Sequence, residues 1–222
     1  MSVKHRAPAS TPQNPGYIAQ GTIHTLSGLL PGRFVVFAST RTRRGGRLRL
    51  APMLLRALGR LDSRWRIPFE ENALTLRKST LGSPHLLLGD RQGPSVSFSH
   101  GEGRLWAAMC SKGRVGIDVA YPEEFSGDYP FARAFNPEEL DAAGAICPDD
   151  TARGAALLWS VKEASVKATW AGFNRLDPLE VRVGPPLFRE KGVLFEVLAD
   201  RPILAWARAE AKGWLSVALA RP

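Results

Sequence analysis

Glu163 and Lys167 stand four residues apart in "WSVKEASVK" (Trp159–Lys167), a spacing that puts both on one face of a helix. On a solvated helix such a pair contributes only about 0.2–0.5 kcal/mol. Here the surrounding residues are apolar: Ala155, Ala156, Leu157, Leu158, Val161, Ala164 and Val166. Charges on so buried a helix need a partner beyond each other. Asp118 poses the same question in the apolar run "VGIDV" (Val115–Val119). An acid there is costly unless it is paired, bound to metal, or capping a loop at the strand end. His100, in "FSHGEG", reads either as a loop histidine with no task or, with Ser99 and nearby backbone N–H groups, as a grip on phosphate oxygens.

Two carboxylates, a lysine, a histidine and the Arg-rich segment Arg41–Arg49 form a set suited to a diphosphate and a hard divalent cation. Magnesium takes one or two carboxylates and completes its shell with phosphate oxygens and water. Catalysis at phosphorus is then mostly positioning and charge stabilisation.

These side chains need a scaffold. Residues 1–22 are poor in apolar content and read as a mobile tail. "GRFVVFAST" (Gly32–Thr40) reads as a strand. From about Leu48 the pattern is helical, with Leu50, Met53, Leu54, Ala57 and Leu58 on one face and Pro52 in the first turn. "PSVSFSHGEGRLWAAMCSKGRVGIDVA" predicts three strands, its serines alternating with Val96 and Phe98. "NPEELDAAGA" predicts a helix capped by Asn136, with Pro137 first and Glu139 closing the capping box. The longest helical pattern runs through Trp159–Lys167 and ends at Gly172. "LEVRV", "GVLFEVL" and a hairpin turned at Lys212–Gly213 follow as strands. Each half thus has helical material before a hairpin whose returning strand carries a tryptophan, Trp106 or Trp214. This echo predicts an α+β protein of two similar α/β lobes, 23–119 and 120–222, with a junction near Val119–Gly127 and a site in the cleft between them.

The bulk composition sets limits. The 222 residues are 44% hydrophobic and 23% charged, as in an ordinary soluble domain. No apolar run is long enough to span a bilayer, and no secretory h-region is evident, so a cytoplasmic location is expected. Cys110 and Cys147 have no zinc-ligand spacing. Residues 1–115 carry 18 Lys/Arg against 5 Asp/Glu, and residues 116–222 carry 12 against 16. The basic half calls for an anionic partner: nucleic acid, a polyphosphate, an acidic protein or anionic lipid.

"VGIDV", with "WSVKEASVK" placing Glu163 45 residues after Asp118, resembles the paired signature of the 4'-phosphopantetheinyl transferase superfamily. Its pattern is G-I/V-D, then W-S/T-x-K-E-A/S-x-x-K. "FSHGEG" is similar to its S-H-S segment. "FARAFNPEEL" is similar to its R-F-F-x-x-x-E stretch at Arg133, Phe135 and Glu139. "LGSPHL" stands where Gly-Lys-Pro is frequent. Length and the two-lobe echo point to the monomeric type that activates polyketide and nonribosomal peptide synthetases.

The resemblance implies a fold of two lobes related by a pseudo-twofold axis. It also implies transfer of the phosphopantetheine arm of coenzyme A to a carrier-protein serine, releasing adenosine 3',5'-bisphosphate. Asp118 and Glu163 match the metal ligands for Mg2+, and Glu163 also the base for the serine hydroxyl. Lys167 matches the lysine on the diphosphate. Ser99 and His100 match the phosphate-holding segment, and Arg47 a basic position near the adenosine end. Arg41, Arg43 and Arg44 are candidates for the 3'-phosphate. Trp159 reads as packing and Lys162 as a motif lysine. An apo acyl or peptidyl carrier protein is the expected partner of a monomer, with neither nucleic acid nor membrane.

Two departures stand out. Ala120 replaces a frequent second acid, and Ser83 replaces the lysine of Gly-Lys-Pro, with Lys78 or Arg91 as possible compensation. They keep open a non-catalytic relative that binds coenzyme A or a carrier. A nucleic-acid module would explain the basic half but not the acid pair.

Overall fold

The computed structural model describes residues 16–20, 23–42, 45–66, 74–80, 82–170, 173, 175–189 and 191–221. Two large sheets lie face to face, each with a helix on its outer side. The first contains β1 (Gly16–Gln20), β2 (Ile23–Ser27), β3 (Phe34–Arg41), β7 (Ser95–Gly101) and β8 (Arg104–Cys110), in the order β1-β2-β3-β8-β7. The second contains β9 (Val115–Ala120), β10 (Arg182–Val183), β12 (Gly192–Leu198), β13 (Pro202–Glu210) and β14 (Gly213–Ala220), in the order β10-β12-β13-β14-β9, with β11 (Leu187–Arg189) on β12. A third sheet holds β4 (Leu74–Lys78), β5 (Pro84–Leu88) and β6 (Arg91–Gln92).

The layering follows from strand alternation, since successive side chains point to opposite faces. On β3, Val35 and Phe37 face the second sheet, while Val36 and Ala38 face helix α1 (Gly46–Leu61). On β13, Leu204 and Trp206 face the first sheet, while Ile203, Ala205 and Ala207 face helix α3 (Thr151–Thr169). The middle core thus joins the sheets, and two outer cores seat the helices. In both halves a strand leads into a helix, and a later hairpin returns its last strand beside the first: β3 pairs β8, and β9 pairs β14.

Several expectations change. The strand of Asp118 belongs to the second sheet, and the expected boundary at 119/120 falls within β9. The turn at 111–114 lies between β8 and β9. Gly16–Gln20, assigned to the tail, pairs with β2; the remaining tail lies outside the described residues. Helix α1 begins at Gly46, after Gly45 at φ 78°, which leaves Pro52 inside it. Helix α3 ends at Thr169, with Trp170 left-handed at φ 64°; Gly172 lies outside the described residues. The last hairpin turns at Ala211–Lys212. "LEVRV" yields only Arg182–Val183 as strand. Trp106 faces the middle core and Trp214 the α3 core, so the two tryptophans are not equivalent.

Asn136 and Glu139 behave as expected. Asn136 N–H donates to Glu139 Oε2 at 2.9 Å at the start of helix α2 (Pro137–Gly144).

Candidate active site

Gly116 governs how closely α3 approaches β9. An added Cβ there would collide with the Ala164 carbonyl and the Ala168 N–H. Without it, the α3 backbone lies directly on the strand. Asp118, two residues on, faces the same way. Glu163 and Lys167, on adjacent turns of α3, come to the same place.

Asp118 is 6% exposed. Its Oδ1 accepts from Lys167 Nζ at 2.6 Å and from Ser99 Oγ at 2.7 Å. Lys167 Nζ also lies 3.8 Å from Glu163 Oε2 and donates to the Ile117 carbonyl at 3.4 Å. Burial pushes the Asp118 carboxyl above its ordinary range, with Lys167 and Ser99 acting against it. Burial likewise raises Glu163, opposed by Lys167 and reinforced by the charges of Asp118 and Glu124.

Ser99 belongs to a row. Ser95, Ser97 and Ser99 hydroxyls accept the backbone N–H groups of Val115, Ile117 and Val119 at 3.1, 3.2 and 3.3 Å. The free edge of β9 is thereby closed by side chains of β7, which satisfies donors otherwise left unpaired. The alternation seen in the sequence supplies these serines at every second residue.

His100 is exposed. Its pKa is lowered by partial burial and by the positive charges of Arg47 and Lys167. Arg47, in the first turn of α1, lies over the Phe98 ring at 5.3 Å. A cavity of about 220 Å³ is lined by Arg47, Lys78, Ser83, Phe98, Lys167 and Trp170, among others. Arg43 and Arg44 lie outside the described residues, and Arg41 is exposed at the end of β3.

The remaining motif residues support the helix. Trp159 stacks on Phe173 with centroids 5.2 Å apart and packs beside Phe125 and Phe135. Lys162 is fully buried. Its ammonium pairs with Glu139 at 2.8 Å and donates to the Ala134 and Pro178 carbonyls. Glu139 also accepts from Val183 N–H at 2.7 Å. One buried ion pair therefore ties α2, α3 and β10 together.

The donors fit a hard cation. Asp118 and Glu163 offer carboxylate oxygens, and a positive charge already lies within reach of both. Among the described residues, no group of three His, Cys, Asp or Glu could hold a metal ion. Phosphate oxygens and water would complete the shell. Ala120 is 1% exposed in the core beneath α3, so no carboxylate comes from there. Glu124, which the sequence reading missed, lies in the short helical turn Pro122–Phe125 that follows β9. It accepts from Tyr121 N–H at 2.9 Å, and its charge acts on Glu163. The capping pattern of "YPEEF" was the available signal.

Buried strand acid, helix acid and helix lysine meet beside a cavity lined by cations, an arrangement suited to a hard cation and phosphate oxygens. Residues 114–214 match the family model described as the 4'-phosphopantetheinyl transferase superfamily. The matched segment runs from the edge of β9 into β14, and both motifs lie within it. No curated protein matches the chain. Among the described residues no helix is long and apolar enough to cross a membrane.

Proposed function

We propose that the protein transfers the 4'-phosphopantetheine arm of coenzyme A to a serine of an apo acyl or peptidyl carrier protein, releasing adenosine 3',5'-bisphosphate. The convergence of Asp118, Glu163 and Lys167 beside the basic cavity carries this reading. The serine oxygen bonds to the phosphorus bearing the pantetheine arm. The bond from that phosphorus to the bridging oxygen breaks, and its electron pair leaves with the adenosine bisphosphate. Glu163 accepts the serine proton, directly or through one water; its raised pKa makes it a stronger base than an ordinary carboxylate. Lys167 donates to the leaving phosphate oxygen. Asp118, oriented by Ser99, would hold magnesium together with Glu163. Magnesium, when bound, neutralises charge on the diphosphate.

The two sheet–helix halves act as lobes related by a pseudo-twofold axis, divided at 111–114. The enzyme is a cytoplasmic monomer of the type that serves polyketide and nonribosomal peptide carriers. Its basic N-terminal half recruits an acidic carrier surface. The test is incubation with coenzyme A, Mg2+ and a panel of apo carriers, read by intact mass. A carrier that gains one phosphopantetheine supports transfer. Coenzyme A binding with no mass gain across the panel favours the non-catalytic reading, which the closed position of Ala120 motivates.

A further inference from the structure

Asp118 and Glu163 meet at one place but are held there differently. Asp118 Oδ1 is fixed directly, by Ser99 and Lys167. The Glu163 carboxylate accepts no hydrogen bond among the described residues, and its contact with Lys167 is long, at 3.8 Å. Its place is therefore set by the backbone of α3, and whatever orients α3 orients Glu163.

Lys162 is the residue before it. Sequence neighbours on a helix point about 100° apart, so Lys162 turns inward while Glu163 faces the site. A lysine ammonium has three donors, and all are taken. They reach Glu139 Oε2 at 2.8 Å, the Ala134 carbonyl at 3.0 Å and the Pro178 carbonyl at 2.8 Å. These acceptors come from α2, from the segment before it and from the segment before β10. The Glu139 carboxylate is equally occupied. Its Oε2 also accepts from Asn136 N–H and its Oε1 from Val183 N–H.

A closed pair of charges is a poor source of stability, because apolar side chains of similar volume often serve as well. What the pair adds is direction. Three acceptors from three segments converge on one nitrogen, so α3 cannot turn about its axis without breaking all three contacts. The Gly116 contact sets the distance of α3 from β9; the Lys162 clamp sets its rotation. The far end of α3 is anchored separately: Arg114 Nη1 donates to the Thr169 carbonyl at 2.9 Å, and its guanidinium lies over Trp170 at 4.2 Å. Loosening the clamp therefore moves the middle of the helix, where Glu163 stands, more than the end that lines the cavity.

We propose that Lys162 and Glu139 are positioning residues, whose buried ion pair fixes the rotation of α3 and so holds Glu163 opposite Asp118. This rests on the transferase reading above.

The test compares wild type, Lys162→Met, Lys162→Met/Glu139→Gln and a control in the α1 core, Leu58→Ala, each at a temperature where circular dichroism shows it folded. The double variant leaves no buried charge unpaired, so it answers for Lys162→Met should that variant fail to fold. Three readouts are taken on the whole protein: carrier modification by intact mass, coenzyme A affinity by calorimetry, and Mn2+ affinity of the coenzyme-free protein by electron paramagnetic resonance. A misplacement of about 1 Å costs on the order of a hundredfold in turnover, and loss of an outer support about tenfold in metal affinity. Both Lys162 variants should show losses of this size with coenzyme A affinity unchanged, and Leu58→Ala should show neither loss. Wild-type turnover in the double variant, or losses no larger than those of Leu58→Ala, would overturn the assignment and leave the transferase reading standing. A wild type that neither modifies a carrier nor binds coenzyme A would remove that reading, and this proposal with it.

Discussion

The Lys167 ammonium donates to Asp118 Oδ1 at 2.6 Å, so a side chain of the protein occupies ground that a bound cation would contest. A divalent ion shared by Asp118 and Glu163 would compete with this ammonium for the Asp118 carboxylate, and a diphosphate would give the ammonium somewhere to go. Lys167→Met should therefore abolish most turnover yet raise the affinity of the coenzyme-free protein for Mn2+, by about tenfold for each 1.4 kcal/mol of competition removed. Manganese binding followed by electron paramagnetic resonance reads this directly. Unchanged or weaker binding would show that the lysine does not compete.

The approach of α3 to β9 depends on one absent methyl group. Gly116→Ala should push the helix off the strand, because the obstacle is the Ala164 backbone rather than a movable side chain. Overpacking costs about 1–3 kcal/mol, and rigid backbone places this site at the upper end. Urea denaturation should show a lowered midpoint. Metal affinity should fall as well, since Asp118 and Glu163 no longer meet at the same spacing. A variant with wild-type stability and affinity would contradict the contact.

Local signals and long-range pairings differed sharply in legibility. The buried character of α3 was readable because so few polar residues interrupt it, and the Asn136–Glu139 cap because its bond spans three residues. The meeting of Asp118 with Lys167 came from motif resemblance rather than from periodicity. Strand partnership left no comparable trace. Nothing near Val115–Ala120 announces that this strand pairs with β14, almost a hundred residues later, rather than with the hairpin before it. Such register is set by sheet-on-sheet packing. The same gap hid Glu124, whose proximity to Glu163 arises only once β9 and α3 are packed together. The tryptophan echo does not extend to the packing, since Trp106 belongs to the middle core and Trp214 to the α3 core.

Asp118 and Glu163 both have pKa values raised by burial. Such an acid holds its proton more tightly folded than unfolded. Its contribution to stability is full at low pH and is lost as pH rises from the unfolded value through the folded one. On the proposed reading a metal would bind the ionised pair, so Mg2+ should return stability in the upper part of that range. Melting curves with and without Mg2+ should nearly coincide near pH 4 and separate progressively toward pH 8. At ten times its Kd the ion contributes about 1.4 kcal/mol. Glu124→Gln removes a negative charge that raises Glu163, so the separation should begin at lower pH. Equal Mg2+ effects across the range would argue against these carboxylates as the ligands.

The serines of β7 divide structural from functional work within one row. Ser97 accepts only the Ile117 N–H among its described contacts, whereas Ser99 accepts Val119 N–H and also donates to Asp118. Removing either acceptor leaves a buried donor unpaired, at a cost of about 1–3 kcal/mol. Ser97→Ala and Ser99→Ala should therefore lower the denaturation midpoint by similar amounts. Only Ser99→Ala should also free the Asp118 carboxylate to rotate, weakening Mn2+ binding and carrier modification beyond what lost stability explains. Assays well below both melting temperatures separate the effects. Equal functional losses in the two variants would mean that Ser99 is one more rung of the sheet closure, with no part in orienting the acid.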